Sequence, residues 1–395
     1  MHFTRKVTED LTWIGADDRR LACFEGVYGV PEGVSYNSYL LQDEKTVLFD
    51  TVDKAVYQVF FENLKAALGG RKLDYLVISH MEPDHSSLIA VLQNIWPEVK
   101  LIGNAKTVPM LKGYHGINED IITVKDGDTL DLGGHVLSFA TVPMLHWPES
   151  MVTFDTTTGV LFSNDSFGGF GAHEGGLFDD EKISARWASE MLRYYACIVA
   201  KYSNVVQVAL KKLAGLEITN IFPSHGTLFR KDIKQVISLY DKWSRHEGES
   251  GAVVVYGSMY GNTKRMAEAV CSGLAAAKVK DVRIYDSSRA DMSSMLRDIW
   301  RFKGLALLSC TYNTVLYPPM DALCSKLLNR MPKNKVLGIA GSYSWSKGAL
   351  TALQSFAEKI KLDKIEPEVE VYTAPTEEDL EKCFELGKNL GEAIS

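Results

Sequence analysis

The chain has 395 residues, 46% hydrophobic and 24% charged, with a formal net charge of −7. This is a globular composition long enough for two or three domains, and its acidic balance argues against nucleic acid or an anionic membrane as the main partner. The six Cys (Cys23, Cys197, Cys271, Cys310, Cys324 and Cys383) form no C-x-x-C pair, which argues against a rubredoxin-type iron centre or zinc ribbon within the chain and fits reduced thiols.

At the N-terminus, "MHFTRKVTEDLTW" lacks the apolar core of a signal peptide, and no apolar run reaches the roughly 20 residues of a membrane helix. The cytoplasm is the expected location. Short strands are predicted at "NSYLLQ", "KTVLFDTV", "KLDYLVIS", "VKLIGN", "HVLSFATV", "SMVTFDTTTGVLFSND" and "ITNIFPSH". Helical patterns at "AVYQVFFENLKAAL" and "SSLIAVLQNIWP" intervene, which predicts sheets covered by helices.

The stretch "SHMEPDHSS" puts His80, Glu82, Asp84 and His85 behind the apolar run "LDYLVI". Pro83 disfavours helix at Glu82, so the four side chains are expected in an extended loop feeding a helix near Ser86 or Ser87. His80, Glu82 and Asp84 can project one way there, with His85 turned to another side. Four metal-binding groups crowd a single ion, so two adjacent ions are the natural division; a solvated loop with a capping Asp is the bland alternative. His146, Asp165 and His225 also end apolar strands and complete a candidate ligand set, in which the Asp165 carboxylate can bridge two cations. Asp50 in "VLFDTVD" either orients a ligand His or serves a turn. His2, His115, His135, His173 and His246 lack this context and read as structural or exposed.

The polar run Ser244 to Gly251 precedes the buried-strand pattern "AVVVY", which places a boundary near residue 248, with domains 1–248 and 249–395. Beyond it, "AVVVYG", "DVRIYD", "GLALLSC" and "VLGIAGS" alternate with the helical stretches "NTKRMAEAVCSGLAAA", "MSSMLRDIWRF" and "ALCSKLLNRM". That alternation predicts a doubly wound α/β domain with a parallel sheet. Its first strand runs into Ser258, Met259, Tyr260, Gly261, Asn262 and Thr263, with a helix starting near Thr263. The loop is rich in hydroxyls, contains no Walker lysine and suits the phosphate of flavin mononucleotide (FMN). Two further loops should converge on the same sheet edge: Thr311, Tyr312 and Asn313, and Ser342, Tyr343 and Trp345, offering hydrogen bonds and aromatic contacts to a flavin ring.

The order His-x-Glu-x-Asp-His, then His146, Asp165 and His225, ahead of a flavodoxin-like half, resembles the flavodiiron proteins across essentially the whole chain. The resemblance implies an N-terminal αββα metallo-β-lactamase-like sandwich and a C-terminal flavodoxin-like domain. By the family pattern one iron is held by His80, Glu82 and His146, the other by Asp84, His85 and His225, with Asp165 bridging. In some relatives the His matching His85 swings away from the metal. Glu82 stands where hydrolases of the wider superfamily commonly have His, and a carboxylate favours iron over zinc. Ser344 stands where the family often has Gly. Tyr195 matches a tyrosine near the diiron pocket that hydrogen-bonds a bound diatomic, or else packs on the core.

The implied activity is reduction of dioxygen to water, of nitric oxide to nitrous oxide, or both, with FMN and two irons. Electrons come from an external donor, rubredoxin or a reduced deazaflavin. A head-to-tail homodimer, or a dimer of such dimers, brings one subunit's flavin to the other's iron. The alternatives are a metal-dependent hydrolase fused to a flavin domain, and an electron carrier whose metal domain is a scaffold.

Overall fold

A computed structural model describes residues 3–118 and 121–395, so His2 lies outside the described residues. The chain divides into two compact units, Met1–Asp241 and Lys242–Ser395. The composition shift near residue 248 lies just inside the second.

The first unit carries two large sheets and, among its described residues, two small two-stranded ones. One has seven strands in the order Arg5–Lys6, Leu11–Trp13, Tyr39–Gln42, Thr46–Phe49, Tyr75–Val77, Lys100–Gly103 and Ile122–Thr123. The other has five, in the order Thr129–Asp131, Val136–Thr141, Met151–Asp155, Val160–Asn164 and Asn220–Pro223. Their apolar faces share one core: Leu41, Val47, Phe49 and Val77 from the first meet Leu137, Phe139, Phe162 and Phe222 from the second. Phe49 stacks on Phe162 with ring centroids 3.7 Å apart. The helices Tyr57–Leu68 and Ser203–Leu213 each bury one apolar stripe, and the unit is the expected αββα sandwich.

Most pairings within these sheets are antiparallel, but two parallel ones position the site. Tyr75–Val77 pairs with Thr46–Phe49, and Val160–Asn164 pairs with Asn220–Pro223, setting Asn164 beside Pro223. The residues that follow, Asp165 and His225, therefore emerge side by side.

The second unit has the parallel strand order Val282–Asp286, Glu249–Gly257, Phe302–Tyr312 and Val336–Tyr343. Asp363–Lys364 and Val369–Tyr372 share the last position, both parallel to Val336–Tyr343. This is the 2-1-3-4-5 order of flavodoxin-like sheets. The run Ala252–Val255 is fully buried, as a sheet covered on both faces requires. Helix Glu377–Ala393 lies against helix Asn262–Ala276, and Gly273 and Gly387 make the approach possible. A Cβ on either would collide with a main-chain carbonyl of the facing helix.

Phe162→Ala should lower the stability of the first unit by about 3–5 kcal/mol, the usual cost of emptying a buried aromatic position. Denaturant unfolding should show an earlier transition for that unit, with the flavodoxin-like unit unmoved.

Candidate metal centre and flavin site

The seven expected ligands do come together. His80 and Glu82 follow strand Tyr75–Val77, His146 lies in the loop after Val136–Thr141, and Asp165 and His225 follow the parallel pair. Asp84 and His85 correct the expectation of an extended loop. Glu82 is extended, but Pro83–Ser86 forms a helical turn with Pro83 at its first position, where a missing N–H costs nothing. His85 is thereby turned toward the other ligands rather than away.

Two groups form around the two oxygens of Asp165. Its Oδ2 lies 3.0 Å from His146 Nε2 and 3.5 Å from His80 Nε2, and Glu82 Oε2 is 3.2 Å from both imidazoles. Its Oδ1 lies 3.0 Å from His85 Nε2 and 3.6 Å from His225 Nε2. Asp84 closes the second group, 3.5 Å from His85 and 3.2 Å from His225. One carboxylate thus faces two clusters with one oxygen each.

Neighbouring groups fix the imidazoles. His80 Nδ1 donates to Glu149 Oε1 at 2.7 Å and His225 Nδ1 donates to the Ser35 carbonyl at 2.8 Å, so both present Nε2 to the centre. Glu149 Oε1 also accepts the Met81 amide. Thr51 donates through its amide and its hydroxyl to the His85 carbonyl. Asp50 accepts the Ser79 amide at 2.7 Å; it anchors the strand end ahead of His80 and touches no ligand imidazole by hydrogen bond.

The electrostatics are those of a site built for cations. Burial works to lower His80 and His85, but Glu149 and Glu82 lift His80 to about 9, and Asp84 and Asp165 lift His85 to about 10. Burial opposes ionisation of Asp165, yet His85 and His146 hold it well below the usual carboxylate range. Even so, both oxygens of Asp84, His85 Nε2, Asp165 Oδ1 and His225 Nε2 are buried without a hydrogen-bond partner. Each such atom costs about 1–3 kcal/mol unless something satisfies it, and a pair of cations does. The donors are four imidazoles and three carboxylates, and that oxygen-rich set fits iron.

Tyr195 does not face this centre. Its hydroxyl bonds Ser203 Oγ at 2.9 Å and its ring meets Tyr240. Tyr194 is the neighbour that does: its ring is 5.6 Å from that of His225, and its buried hydroxyl has no hydrogen-bond partner. After burial itself, the charges of Asp165, Asp84 and Glu82 raise its pKa. Glu25, on the hairpin formed by Cys23–Phe24 and Tyr28–Gly29, is a second unexpected neighbour. Desolvation and the charges of Glu82, Asp84 and Asp165 push its carboxyl up to about 7, although the residue is exposed and water tempers the shift. Glu149 was legible as the Glu of "HWPES", three residues after His146; nothing in the sequence marks Glu25.

In the second unit all three expected loops lie at the carboxyl ends of neighbouring parallel strands. The first runs through Ser258, Met259 and Tyr260 to Gly261, whose φ of +97° caps helix Asn262–Ala276. Ser258 Oγ accepts the Gly261 amide, leaving its own O–H to donate. Thr263 and Ser342 hydroxyls meet at 3.0 Å, and Thr311 Oγ1 accepts the Ala349 amide, which ties the loops together. Asn313 turns the second loop at φ +45°, Tyr312 rests edge-on against Tyr317, and Tyr343 leans on Tyr372. Tyr260 and Trp345 stand 92% and 76% exposed, large apolar faces offered to something planar.

Known proteins share this arrangement. The model of the ODP family beta lactamases matches residues 34–226 and the flavodoxin model residues 254–387. The nitric oxide reductase of Moorella thermoacetica is 32% identical over 98% of each chain. The solved rubredoxin oxygen:oxidoreductase of Desulfovibrio gigas superposes with TM-score 0.95 at 27% identity, covering 99% of this chain and 98% of that one. The flavodiiron protein of Giardia intestinalis gives TM-score 0.95 at 27% identity, over 100% and 97%. The chain belongs to the flavodiiron protein family. This flavodiiron chain is an oxidoreductase, and no helix among its described residues is long and apolar enough to cross a membrane.

Glu149→Gln keeps the shape but weakens the charge that orients His80, so metal affinity should fall about 10- to 100-fold in a competitive chelator titration. The folded metal-free protein has its His80 and His85 pKa values at about 9 and 10, raised from an ordinary 6.5. Their ion pairs therefore stabilise it fully below about pH 6.5, and that contribution is lost as pH rises through 9 and 10. Denaturation midpoints of the metal-free form should fall across that range, and those of the metal-loaded form should not.

Proposed function

We propose that this protein reduces nitric oxide to nitrous oxide, dioxygen to water, or both, at a non-haem diiron pair supplied with electrons through FMN. The observation that carries the proposal is Asp165, whose two oxygens divide between two clusters of imidazole and carboxylate. His80, Glu82 and His146 would hold one iron, Asp84, His85 and His225 the other, and Asp165 would bridge them. The hydroxyls of Ser258 and Thr263, with the amides at the start of helix Asn262–Ala276, would receive the flavin phosphate. Met259, Tyr260, Thr311, Tyr312, Asn313, Ser342, Tyr343 and Trp345 would border the ring. When bound, the iron pair supplies open coordination positions, and the flavin takes electrons in pairs and releases them singly.

Dioxygen needs four electrons and four protons to become two waters. Two nitric oxides need two of each to become nitrous oxide and water. The chain's own part is to position, to exclude bulk water and to deliver protons. Tyr194, with its hydroxyl free in a buried site, would donate to what binds there.

The donor is external. The Desulfovibrio relative, named for rubredoxin, supports a rubredoxin-type protein; a reduced deazaflavin is the other donor that family resemblance suggests. Exposed Tyr260 and Trp345 support a head-to-tail homodimer, or a dimer of such dimers, in which a second copy covers the flavin edge. The expected location is the cytoplasm. Glu82 speaks against a fused metal hydrolase, since a carboxylate replaces the imidazole that zinc prefers.

The test is anaerobic stopped-flow mixing of chemically reduced, metal- and flavin-loaded protein with each gas. Flavin reoxidation within the mixing range is expected with at least one gas. His146→Ala should abolish it while flavin stays bound. Tyr194→Phe should slow it about tenfold, the worth of one hydrogen bond, with Tyr195→Phe near wild type. Purified protein holding zinc and hydrolysing esters without gas turnover would end the proposal.

A further inference from the structure

Two cavities in the first unit meet at one residue. The larger, about 360 Å³, is lined by charged groups including Lys182, Arg186, Glu174 and Glu190, and it is a place for water. The smaller leaves about 10 Å³ to the centre of a water-sized sphere, room for one small molecule. Its wall is aliphatic and aromatic: Leu145, Val152, Phe167, Val206, Ala209 and Leu213. The only lining residues with polar side-chain atoms are Ser166 and Tyr240. Water needs two to four polar partners to occupy a cavity; this one offers almost none and should be dry.

Its place matters. Leu145 directly precedes the ligand His146, and Ser166 and Phe167 directly follow the bridging Asp165. The other wall comes from helix Ser203–Leu213, where Ala209 is a small residue on the buried face and Leu213 lies toward its end. Phe167 lines both cavities. It is held at φ +66°, a strained setting for a bulky residue, and its ring lies 4.4 Å from that of Tyr240. Strain of this kind persists only where the surroundings impose it, and here it stands an aromatic wall between a wet space and a dry one.

We propose that the dry cavity beside Leu145, Phe167 and Ala209 is a holding site for the apolar diatomic substrate next to the metal pair. Dioxygen and nitric oxide are small and nearly apolar, so they partition into such a space in preference to water. The site raises local gas concentration at His146 and Asp165, while protons reach the centre from the polar side. This deepens the reductase reading and rests on it.

Crystals of the metal- and flavin-loaded protein, pressurised with xenon, test the cavity without turnover. Xenon density among Leu145, Phe167 and Ala209 is expected; density elsewhere in the protein but none here would overturn the proposal. Ala209→Leu fills the space and should remove that density and raise KM for the gas at least threefold, with the change falling on KM rather than kcat. Ala209→Val, a smaller insertion, should give an intermediate rise should Ala209→Leu fail to fold. An unchanged KM in a variant that has lost the xenon would overturn the proposal. Xenon bound here with no turnover of either gas would sink the reductase reading and leave the gas site standing.

Discussion

The architecture of the first unit turns on one buried carboxylate. Asp165 is 1% exposed and lies within 3.6 Å of four imidazole nitrogens, two on each of its oxygens. An ionised carboxylate in such a place is costly unless cations compensate it. Without metal, protonated imidazoles do that work, which is why burial fails to keep His80 and His85 neutral. With metal, those protons leave and the cations take over the compensation. The buried polar atoms left without hydrogen-bond partners on Asp84, His85, Asp165 and His225 show that protons alone do not complete the site.

The sheets exist, in functional terms, to bring seven side chains to that point. Asp165 and His225 are neighbours because Asn164 and Pro223 are paired in parallel. His80 arrives from the other sheet, and the two meet at Ser79, whose amide is held by Asp50 and whose carbonyl accepts the Met151 amide. The Phe49–Phe162 stack, in the strands leading to Asp50 and Asp165, keeps that junction tight. These features were legible because strand ends are easy to read: an apolar run stops and a His or Asp follows. The same logic located the three loops of the flavodoxin-like unit, whose strand order leaves only one edge for a ligand.

What the sequence hid was helical phase. Pro83 keeps Glu82 extended as expected, but the helical turn opens at Pro83 itself rather than near Ser86 or Ser87, and that turn is what brings His85 inward. Tyr194 and Tyr195 are adjacent, and family pattern favoured the second. The α-helix Ser184–Tyr194 gives way at Tyr195–Val199 to a π-helical turn, which alters the angular position of every side chain after it. Tyr195 is carried toward Ser203 and Tyr240, and Tyr194 is left facing His225. A regular 3.6-residue count cannot foresee that change. Glu25 was hidden for a different reason, since the charges of Glu82, Asp84 and Asp165 reach it only through the tertiary placement of a short hairpin far away in the chain.

The surroundings of the metal centre answer a chemical conflict. Its reaction consumes protons, which travel through water and ionisable groups, and a gas that prefers to be away from water. A uniformly polar site would hinder the gas, and a uniformly apolar one would starve the reaction of protons. The chain separates the two supplies on either side of Phe167, with Lys182 and Arg186 bordering the polar space and Val206 and Ala209 the dry one. Phe167 can stand there only because it follows Asp165 so closely that the backbone must turn sharply after the bridging ligand. Asn164, at φ +56°, and Phe167, at φ +66°, bracket Asp165 with left-handed backbone. The left-handed backbone around Asp165 thus both turns the chain at this carboxylate and sets Phe167 between the two cavities.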